Sequence, residues 1–564
     1  MVDLLGIGLL GPYIGIAMDQ SKIAEITFLS LLIEKLNINT SPLTFIGICM
    51  ILIFLFRLLL AILINKKILF FCRDIQVSLR SDLMKTYQNM SYEEFIENDS
   101  SDAIANTTVL SMYFTNNVLY MTLKAFAEII LAVFLFSFLL FVNGLLVLIL
   151  VLGLGLLVTL YSNFFKSRMI SYGQRINAAN ANLVQSVKQS MEGIKEVRVL
   201  GKENFFYKRY ISSAEIYGDL HASSQLITTG SRYFIEFAII GFFVFSISAS
   251  SLLSFADSSD LFGTLGMFAF AAIRLLPGVN ILSTTILQLR SQKNTVDRLY
   301  ETLKKLDIEI NFSDIPSFDK EDSAKEDYYF KSIKLDKIEY SYPNSNKNVL
   351  NGIDLEISQG ESIGIIGPSG SGKTTLIDIL LGLLKPKSGQ IILNGKPVEK
   401  LSENLGKMIA YIPQESLMIN ETLSANIQLD ESSDLDLKNV YLEKSISQAQ
   451  LSRVVDNLPH GVLTNIGENG VRLSGGQRQR VALARAIFHS RDILVFDEAT
   501  SALDSDTESE VVNEIRSMKG IKTMIVIAHR TETLRFCDRI YKIHNGVIDE
   551  IGTPDEILGS LKVK

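Results

Sequence analysis

Glycines, a lysine and a hydroxyl residue stand together after a short apolar run, at a spacing that suits phosphate binding. The segment Gly367–Thr374 reads GPSGSGKT and fits the pattern GxxxxGK[ST]. The preceding run Ser362–Ile366 predicts a strand, and Thr375–Leu383 predicts an amphipathic helix. In that context, loop N–H groups and the helix N-terminus can surround phosphate oxygens. The motif therefore predicts a nucleotide phosphate site, and a chance glycine-rich turn is the weaker interpretation.

The side chains of this loop have separate predicted tasks. We expect Lys373 to reach the β- and γ-phosphates of ATP, and the Thr374 hydroxyl to hold Mg²⁺. The remaining nucleotide contacts are expected from the other loop residues and the first helical turn, namely Gly367, Ser369, Gly370, Gly372 and Thr375.

Two further apolar runs end in residues that can act on a phosphate. Ile493–Phe496 leads to Asp497 and Glu498, and Thr523–Ala528 leads to His529. Ligands of open α/β sheets bind at the carboxyl ends of such strands. We therefore expect Asp497 to act on Mg²⁺, Glu498 to be the general base for the attacking water, and His529 to contact the γ-phosphate. A helix cap or surface role for Glu498, and a structural role for His529, are the alternatives.

A second glycine-rich segment precedes another predicted helix. Leu473–Gln477 reads LSGGQ and is followed by the helical pattern Arg478–Phe488. Serine and two glycines before a helix N-terminus form a second anion site. One nucleotide does not need two such sites from one domain, so one chain is not expected to complete the active site.

The motif YIPQ, ending at Gln414, lies between Gly367–Thr374, hereafter the P-loop, and LSGGQ. This order of motifs, from about Lys331 to the C-terminus, resembles the nucleotide-binding domain of ABC transporters. The resemblance implies that two domains face head to tail around two ATP molecules. It also implies that Tyr342 stacks on adenine, that Gln414 senses the γ-phosphate and Mg²⁺, and that Asp504 lies in a loop linking the two sites. The residues implied to contact the ATP of the opposite domain are Ser474, Gly475, Gly476 and Gln477.

The first half of the chain is too apolar for a soluble protein of this size. The 564 residues are 48% hydrophobic and 20% charged. A membrane crossing takes about 20 residues. We predict six spans, the first short and incomplete, as if the chain lacked a cytosolic lead-in; soluble buried helices are a poor alternative for all six. The apolar runs lie at 4–17, 43–64, 125–142, 145–161, 234–253 and 261–286.

Basic residues follow the second and fourth spans, among them Lys66, Arg73, Arg168 and Arg175. By the positive-inside rule these segments are cytosolic, so the chain is expected in the cell inner (plasma) membrane with a cytoplasmic nucleotide-binding domain. Asn143-Gly144 predicts an outer turn. Cytosolic reversals are predicted near 92–104 and 205–217, as candidates for contact with the ATPase.

The predicted fold class is an α-helical six-span transmembrane domain of ABC exporter type, followed by an α/β P-loop nucleotide-binding domain. We place the transmembrane domain at 1–310, an acidic linker at 311–330 and the nucleotide-binding domain at 331–564. The net charge of −7 argues against nucleic-acid binding. The three cysteines show no metal-binding spacing.

Three arginines within the predicted spans, Arg57, Arg232 and Arg274, are candidates for substrate contact. Charge within a span is costly, and arginine can grip phosphate with paired hydrogen bonds. These residues therefore suit an anionic lipid phosphate. The alternative is structural: Arg232 can pair with Glu236 at i,i+4 spacing, and the others can face cytosolic water.

The segments 56–59, 232–236 and 274–280 resemble those of bacterial lipid-linked oligosaccharide flippases of the N-glycosylation type. The resemblance implies that the three arginines engage the pyrophosphate of a polyprenyl-linked glycan. We expect an ATP-driven homodimer with membrane lipid around it; a heterodimer stays open. A drug, lipid or peptide exporter with the same ATPase is the alternative, and a non-transport ABC ATPase is a more remote one.

Overall fold

The chain forms two compact units, one of Met1–Met90 with Asn98–Asp319, the other of Ser91–Glu97 with Lys320–Lys564. The structure is a computed structural model. It describes residues 42–97, 100–252, 258–306, 329–343, 345, 347–398, 405, 408–429, 435–498, 505–528 and 531–561. The predicted short first span lies outside these residues.

The first unit is helical, as expected of apolar chain that must satisfy its backbone hydrogen bonds internally. Among the described residues, three stretches are long and apolar enough to cross a membrane: Gly47–Asn89, Asp102–Ser137 and Val147–Glu192. Two π-helical segments, Asn106–Leu110 and Phe114–Leu119, flank a short helix. In chain order the helices up to residue 305 are α1 (Pro42–Asn89), α2 (Tyr92–Glu97), α3 (Ser100–Ala105), α4 (Ser111–Tyr113), α5 (Tyr120–Glu192), α6 (Ile194–Val199), α7 (Glu203–Leu252), α8 (Ser258–Ser291) and α9 (Lys293–Lys305).

The two halves of α5 run side by side. Thr285 Oγ1 lies 3.5 Å from the carbonyl oxygen of Met121, and the Arg290 guanidinium donates to the carbonyl oxygen of Ser162. Thr285 and Arg290 are only about 7 Å apart along α8, whereas a straight helix would separate Met121 from Ser162 by about 60 Å. The chain therefore reverses between the two halves of α5, the interval in which the outer turn was predicted.

The second of the two predicted reversals lies earlier in the chain than predicted. It lies at Gly193–Lys202, where α6 separates two glycine breaks, and Gly201 has φ +62°. Glycine adopts this left-handed conformation without a Cβ clash and commonly ends helices. Since α7 begins at Glu203, residues 205–217 form its first turns and do not reverse direction.

Gly173 allows α5 to approach the end of α8, and we predict that Gly173→Ala destabilises the first unit. A Cβ there would overlap the backbone carbonyl of Ser291. Overpacking of this kind costs about 1–3 kcal/mol, measurable as a lower midpoint of thermal unfolding in detergent. Gly218→Ala is the matched control, because a Cβ on that helical glycine meets nothing within 4 Å. Equal unfolding midpoints for the two variants would contradict the close approach.

The second unit contains two sheets. A four-stranded antiparallel sheet has the order β2-β1-β4-β5, and a six-stranded sheet has the order β10-β9-β3-β8-β7-β6. In the larger sheet β3, β6, β7, β8 and β9 are parallel, and β10 is antiparallel to β9. The strands are β1 (Ser332–Tyr340), β2 (Leu350–Ser358), β3 (Ser362–Ile366), β4 (Ser388–Leu393), β5 (Lys396–Pro397), β6 (Ile409–Ile412), β7 (Ile493–Asp497), β8 (Thr523–Ile527), β9 (Arg539–His544) and β10 (Val547–Gly552).

The central strands of the larger sheet, β3, β7 and β8, are buried on both faces, which explains their uninterrupted apolar sequences. Alternate residues of β7 enter different core clusters: Ile493 and Val495 join one, and Leu494 and Phe496 join the other. The three strands predicted before the candidate site residues are confirmed. The helices of this unit are α10 (Lys373–Leu380), α11 (Leu423–Gln428), α12 (Leu435–Gln448), α13 (Ser452–Asp456), α14 (Gly475–Phe488), α15 (Ser505–Ser517), α16 (Thr531–Leu534) and α17 (Pro554–Leu561).

Helix α2 belongs to the second unit, although the chain on either side of it belongs to the first. Glu93 Oε1 accepts a hydrogen bond from the backbone N–H of Lys385, at 3.2 Å. The predicted contact of the first reversal with the C-terminal domain is confirmed for Tyr92–Glu97.

Candidate ATP site

The predicted catalytic segments meet at one edge of the six-stranded sheet. Strands β3, β7 and β8 are adjacent and parallel, so their carboxyl ends lie together. The P-loop follows β3, Asp497 ends β7, and the neighbouring strand β6 leads to Gln414. This edge is where open α/β sheets bind their ligands.

At two positions of the P-loop the backbone has a left-handed conformation that favours glycine. Gly370 has φ +78° and Gly372 has φ +103°. A Cβ on Gly372 would also lie 2.8 Å from Leu350 Cδ2. The glycines thus let the loop fold tightly over β3 and begin α10 with its N–H groups directed outward.

Lys373 is folded back onto its own loop. Its Nζ donates to the carbonyl oxygens of Gly367 and Pro368, each at 2.9 Å. Burial lowers the pKa of Lys373, while the charges of Glu498 and Asp497 raise it. The ammonium is held at the mouth of the loop by weak acceptors, which a charged phosphate oxygen would outcompete.

Each of the two acidic residues at the end of β7 has a polar partner in or just after β6. Tyr411 donates its hydroxyl to Asp497 Oδ2 at 2.9 Å, and Gln414 Nε2 donates to Glu498 Oε2 at 2.9 Å. Burial is the main cause that raises the pKa of Asp497, and the Glu498 charge raises it further, whereas Tyr411 and Lys373 lower it. Two neighbouring carboxylates in a half-buried site favour a cation between them and the phosphates.

Glu498 has a backbone conformation that is rare for a residue with a side chain. Its φ is +51°, and its N–H donates to the carbonyl oxygen of Ile527 at 3.0 Å. The left-handed region costs such a residue about 1–2 kcal/mol, and strain of this kind concentrates at functional sites. The bond to β8 holds the carboxylate at the strand edge.

The residues present fit ATP with Mg²⁺. The Ser371 Oγ atom of the P-loop is buried and has no hydrogen-bond partner within the described chain, while Thr374 is exposed at the start of α10. Among the described residues, no group of three or more His, Cys, Asp or Glu side chains could hold a metal by itself. Mg²⁺ usually binds one or two carboxylates together with substrate phosphates, and Asp497 supplies such a carboxylate near Lys373.

Tyr342 and Thr375 contact each other at the side of the loop, with 3.1 Å between their hydroxyl oxygens. The Tyr340 and Tyr342 rings meet edge to face at 5.2 Å. Ser369 is exposed on the outer face of the loop. His529 and Asp504 lie outside the described residues, and their roles stay predictions.

The LSGGQ segment forms the N-terminus of α14. Ser474 Oγ accepts from the Gln477 N–H at 3.2 Å, and Gln477 Oε1 accepts from the Ser474 N–H at 2.9 Å. This capping box holds Gly475 and Gly476 at the helix start. Within the described residues, the side-chain hydrogen bonds of Ser474 and Gln477 are those of this capping box, and none joins the segment to the P-loop.

Sequence reasoning missed two residues of the site. Tyr411 stands inside the YIPQ motif, and its position three residues before Gln414 in a strand was a usable signal. Asp378 lies on α10; burial and the nearby Asp497 charge raise its pKa to about 6. Only the fold brings Asp378 near Asp497, so no local pattern could have indicated it.

Two of the three candidate substrate arginines pair with carboxylates in the first unit. Arg232 Nε lies 2.7 Å from Glu236 Oε1, as the structural alternative predicted. An Arg274 Nη1 atom lies 3.7 Å from Glu128 Oε2, with both side chains about four-fifths buried (20% and 19% exposed). The Arg57 guanidinium lies 5.9 Å from the centre of the Phe54 ring. Glu128 was not among the predicted residues.

Comparison with known proteins decides the family. Residues 350–501 match the family described as ABC transporter, and residues 15–273 match the ABC transporter transmembrane region. The ATP-dependent lipid A-core flippase of Idiomarina loihiensis is 30% identical over 408 residues, which cover 72% of this chain and 68% of that protein. The chain belongs to the ABC transporter family.

Other relatives of this ABC transporter have the same name. The flippase of Ralstonia nicotianae is 42% identical over 229 residues, or 40% of this chain, and that of Alkalilimnicola ehrlichii is 27% identical over 527 residues, or 92% of this chain. The match spans 38% of the Ralstonia protein's length and 85% of the Alkalilimnicola protein's. None of these names specifies a lipid-linked oligosaccharide. The resemblance to lipid-linked oligosaccharide flippases therefore stays a prediction.

The solved structure of a bacterial Atm1-family ABC exporter with ATP bound has a TM-score of 0.73 and 21% identity, covering 99% of this chain and 95% of that one. At this identity the likeness concerns the fold alone. The predicted fold class, an exporter-type helical transmembrane domain joined to an α/β nucleotide-binding domain, is confirmed for this ABC transporter.

Proposed function

We propose that two copies of this chain hydrolyse ATP and use the reaction to move an anionic amphipathic lipid across the membrane. One observation supports this most: Lys373, Asp497, Glu498 and Gln414 converge on the edge of one parallel sheet, next to a loop suited to phosphate.

In this proposal Lys373 exchanges its two carbonyl partners for β- and γ-phosphate oxygens. Asp497, Thr374 and Gln414 would hold Mg²⁺, which supplies positive charge to the phosphates when bound. Glu498 would take a proton from the attacking water as the general base. Its hydrogen bond from Gln414 fixes the carboxylate before ATP arrives, which lowers the entropy cost of reaching the reactive geometry.

A pair of chains is proposed because the domain has two helix N-termini suited to anions, at Lys373 and at Gly475, and one nucleotide does not need both from one domain. In a two-fold symmetric pair, the α14 N-terminus of one copy would face the P-loop of the other. Each chain carries both halves, so a homodimer suffices; a heterodimer with a related chain is the second form. The nucleotide-binding domain would lie in the cytoplasm, on the side of the basic segments.

The relatives' name favours a lipid substrate over a drug or peptide. Arg57, Arg232 and Arg274 would engage its phosphate, and a polyprenyl-pyrophosphate glycan is the specific substrate that we propose. Because Arg232 and Arg274 pair with Glu236 and Glu128, a phosphate would share each guanidinium with its carboxylate or displace that carboxylate. The two carboxylates then compensate the arginine charges when no substrate is bound, and their return to the arginines would help to release the lipid phosphate.

We predict that Arg57→Ala, Arg232→Ala and Arg274→Ala together abolish the stimulation of ATPase activity by a polyprenyl-pyrophosphate glycan. A paired charge-assisted hydrogen bond is worth about 1.5–3 kcal/mol, so half-maximal stimulation should require at least about tenfold more lipid for each single change. The measurement is phosphate release in lipid nanodiscs over a lipid titration. Arg175→Ala, an exposed arginine of α5, is the matched control; equal stimulation of all the variants would exclude the arginines as substrate contacts.

A further inference from the structure

A cavity of about 210 Å³ lies among the helices of the first unit, apart from the three substrate arginines. Side chains from the second π-helical segment, α5, α7 and α8 reach it. None of the lining residues is Asp, Glu, Lys or Arg, and His221 is the only imidazole. Most of the lining side chains are neutral and polar, with five hydroxyl groups and five amides; the amides are those of Asn117, Asn177, Gln225, Gln288 and Gln292.

The amide of Gln288 carries an unmet hydrogen-bonding requirement. Its Oε1 atom is buried and has no hydrogen-bond partner in the described part of the chain. A buried acceptor without a partner costs about 1–3 kcal/mol. Neutral amides present donors and acceptors together, so a ligand with hydroxyl groups can satisfy them, whereas a charged ligand would find no counter-charge in the lining.

An aromatic surface stands at one side of the same cavity. The rings of Tyr217 and His221 are stacked, with centroids 5.8 Å apart and an angle of 17° between their planes. The volume is below the roughly 300–1,000 Å³ of sites for drug-sized ligands, so it suits a single small ring. Amides beside an aromatic ring can bind a sugar by its hydroxyls while the ring contacts the C–H face of the sugar, and Gln225 and Gln288 line the cavity together with Tyr217.

We propose that this cavity is a loading site for an uncharged, hydroxyl-rich headgroup, a saccharide unit, of the transported lipid. The inference rests on the proposed lipid-transport function and extends it from the phosphate to the headgroup.

The surroundings of the cavity agree with this assignment. Thr228, which lines the cavity, lies one helical turn before Arg232 on the same face of α7. A lipid with its sugar beside Thr228 would therefore place its phosphate towards Arg232. The lining residue Gly173 lies between Arg168 and Arg175, in a segment that the positive-inside rule assigns to the cytosol. The site would thus hold the headgroup before it crosses.

The absence of tryptophan from the chain permits a direct test. Tyr217→Trp places a single fluorescent indole in the cavity, and the purified full-length protein is titrated with free N-acetylglucosamine, with free glucose and with a polyprenyl-pyrophosphate glycan. We expect saturable fluorescence changes with at least one free sugar and with the glycan. Gln288→Leu and, separately, Gln225→Ala in the same background should weaken binding by about tenfold each, because each removes hydrogen bonds to the ligand.

The matched control is Tyr207→Trp, an exposed position on the same helix whose residue is not among those that line the cavity; it should not respond to sugar. Saturable binding with the same affinity in the Gln225→Ala and Gln288→Leu backgrounds would overturn the proposal. So would a response to inorganic phosphate but not to sugars. Binding is measured without ATP, so the two proposals can fail separately. Loss of ATPase activity with intact sugar binding would count only against the proposed transport function. Intact lipid-stimulated ATPase activity without a sugar response would count only against the loading site.

Discussion

The Glu498→Gln variant is expected to bind ATP and to lose nearly all hydrolysis. The amide keeps the size of the side chain and can still form a hydrogen bond with Gln414, but it cannot take a proton from water. Loss of a general base lowers a rate by about 10²- to 10⁴-fold. Phosphate release should fall by that factor while labelled ATP stays bound, so the paired state should accumulate with ATP inside.

The control for this change is Glu443→Gln, which removes an exposed carboxylate from α12. Its rate should stay within about twofold of the parent, because surface substitutions away from a site have small effects. Turnover near the parent rate in Glu498→Gln would show that another group serves as the base. Loss of ATP binding in that variant would instead mean that the carboxylate supports the nucleotide itself.

The second expected result concerns the division of the active site between two chains. In the Glu498→Gln background, one chain also carries Lys373→Ala and the other also carries Ser474→Arg. A homodimer of either chain should occlude no ATP. In the Lys373→Ala homodimer each site lacks the ammonium that contacts the phosphates, and in the Ser474→Arg homodimer the LSGGQ segment of each site is blocked. The mixed pair should occlude one ATP, since one of its two sites combines an intact Lys373 with an intact Ser474.

The experiment uses two affinity tags to purify the mixed pair, and occluded ATP is counted after rapid gel filtration. The Glu498→Gln parent is the positive control and should occlude two ATP molecules per pair. A conservative Ser474→Thr chain, which keeps the hydroxyl of the capping box, checks that loss of occlusion does not come from an unfolded α14. Occlusion by the Ser474→Arg homodimer, or none in the mixed pair, would contradict a shared site.

Local patterns were sufficient to predict most of the ATP site. The P-loop follows one buried strand, and Asp497 and Glu498 stand at the end of another. The apolar runs of these strands are short and unambiguous, and parallel strands bring their carboxyl ends together. The predicted segments Ser362–Ile366 and Ile493–Phe496 are therefore strands in the structure. His529 and Asp504, outside the described residues, stay predictions.

Contacts between distant residues were beyond sequence reasoning. Arg274 pairs with Glu128, which lies 146 positions earlier in the chain, and only helix packing makes them neighbours. In contrast, Arg232 and Glu236 were recognisable because their spacing follows the helix repeat. The reversal lies at Gly193–Lys202 rather than at 205–217, because Gly201, with φ +62°, ends it and α7 begins at Glu203.

The passage of Ser91–Glu97 through the second unit means that this unit, the proposed ATPase, is not encoded by one contiguous stretch of the gene. A fragment cloned from Lys320 onward would omit seven residues of its own compact body, and the backbone N–H of Lys385 would lose the Glu93 carboxylate. The two units also share covalent connections at three points, before Ser91, after Glu97 and before Lys320. A single protease cut at any one of these junctions leaves the others intact, so separating the two bodies requires more than one cleavage.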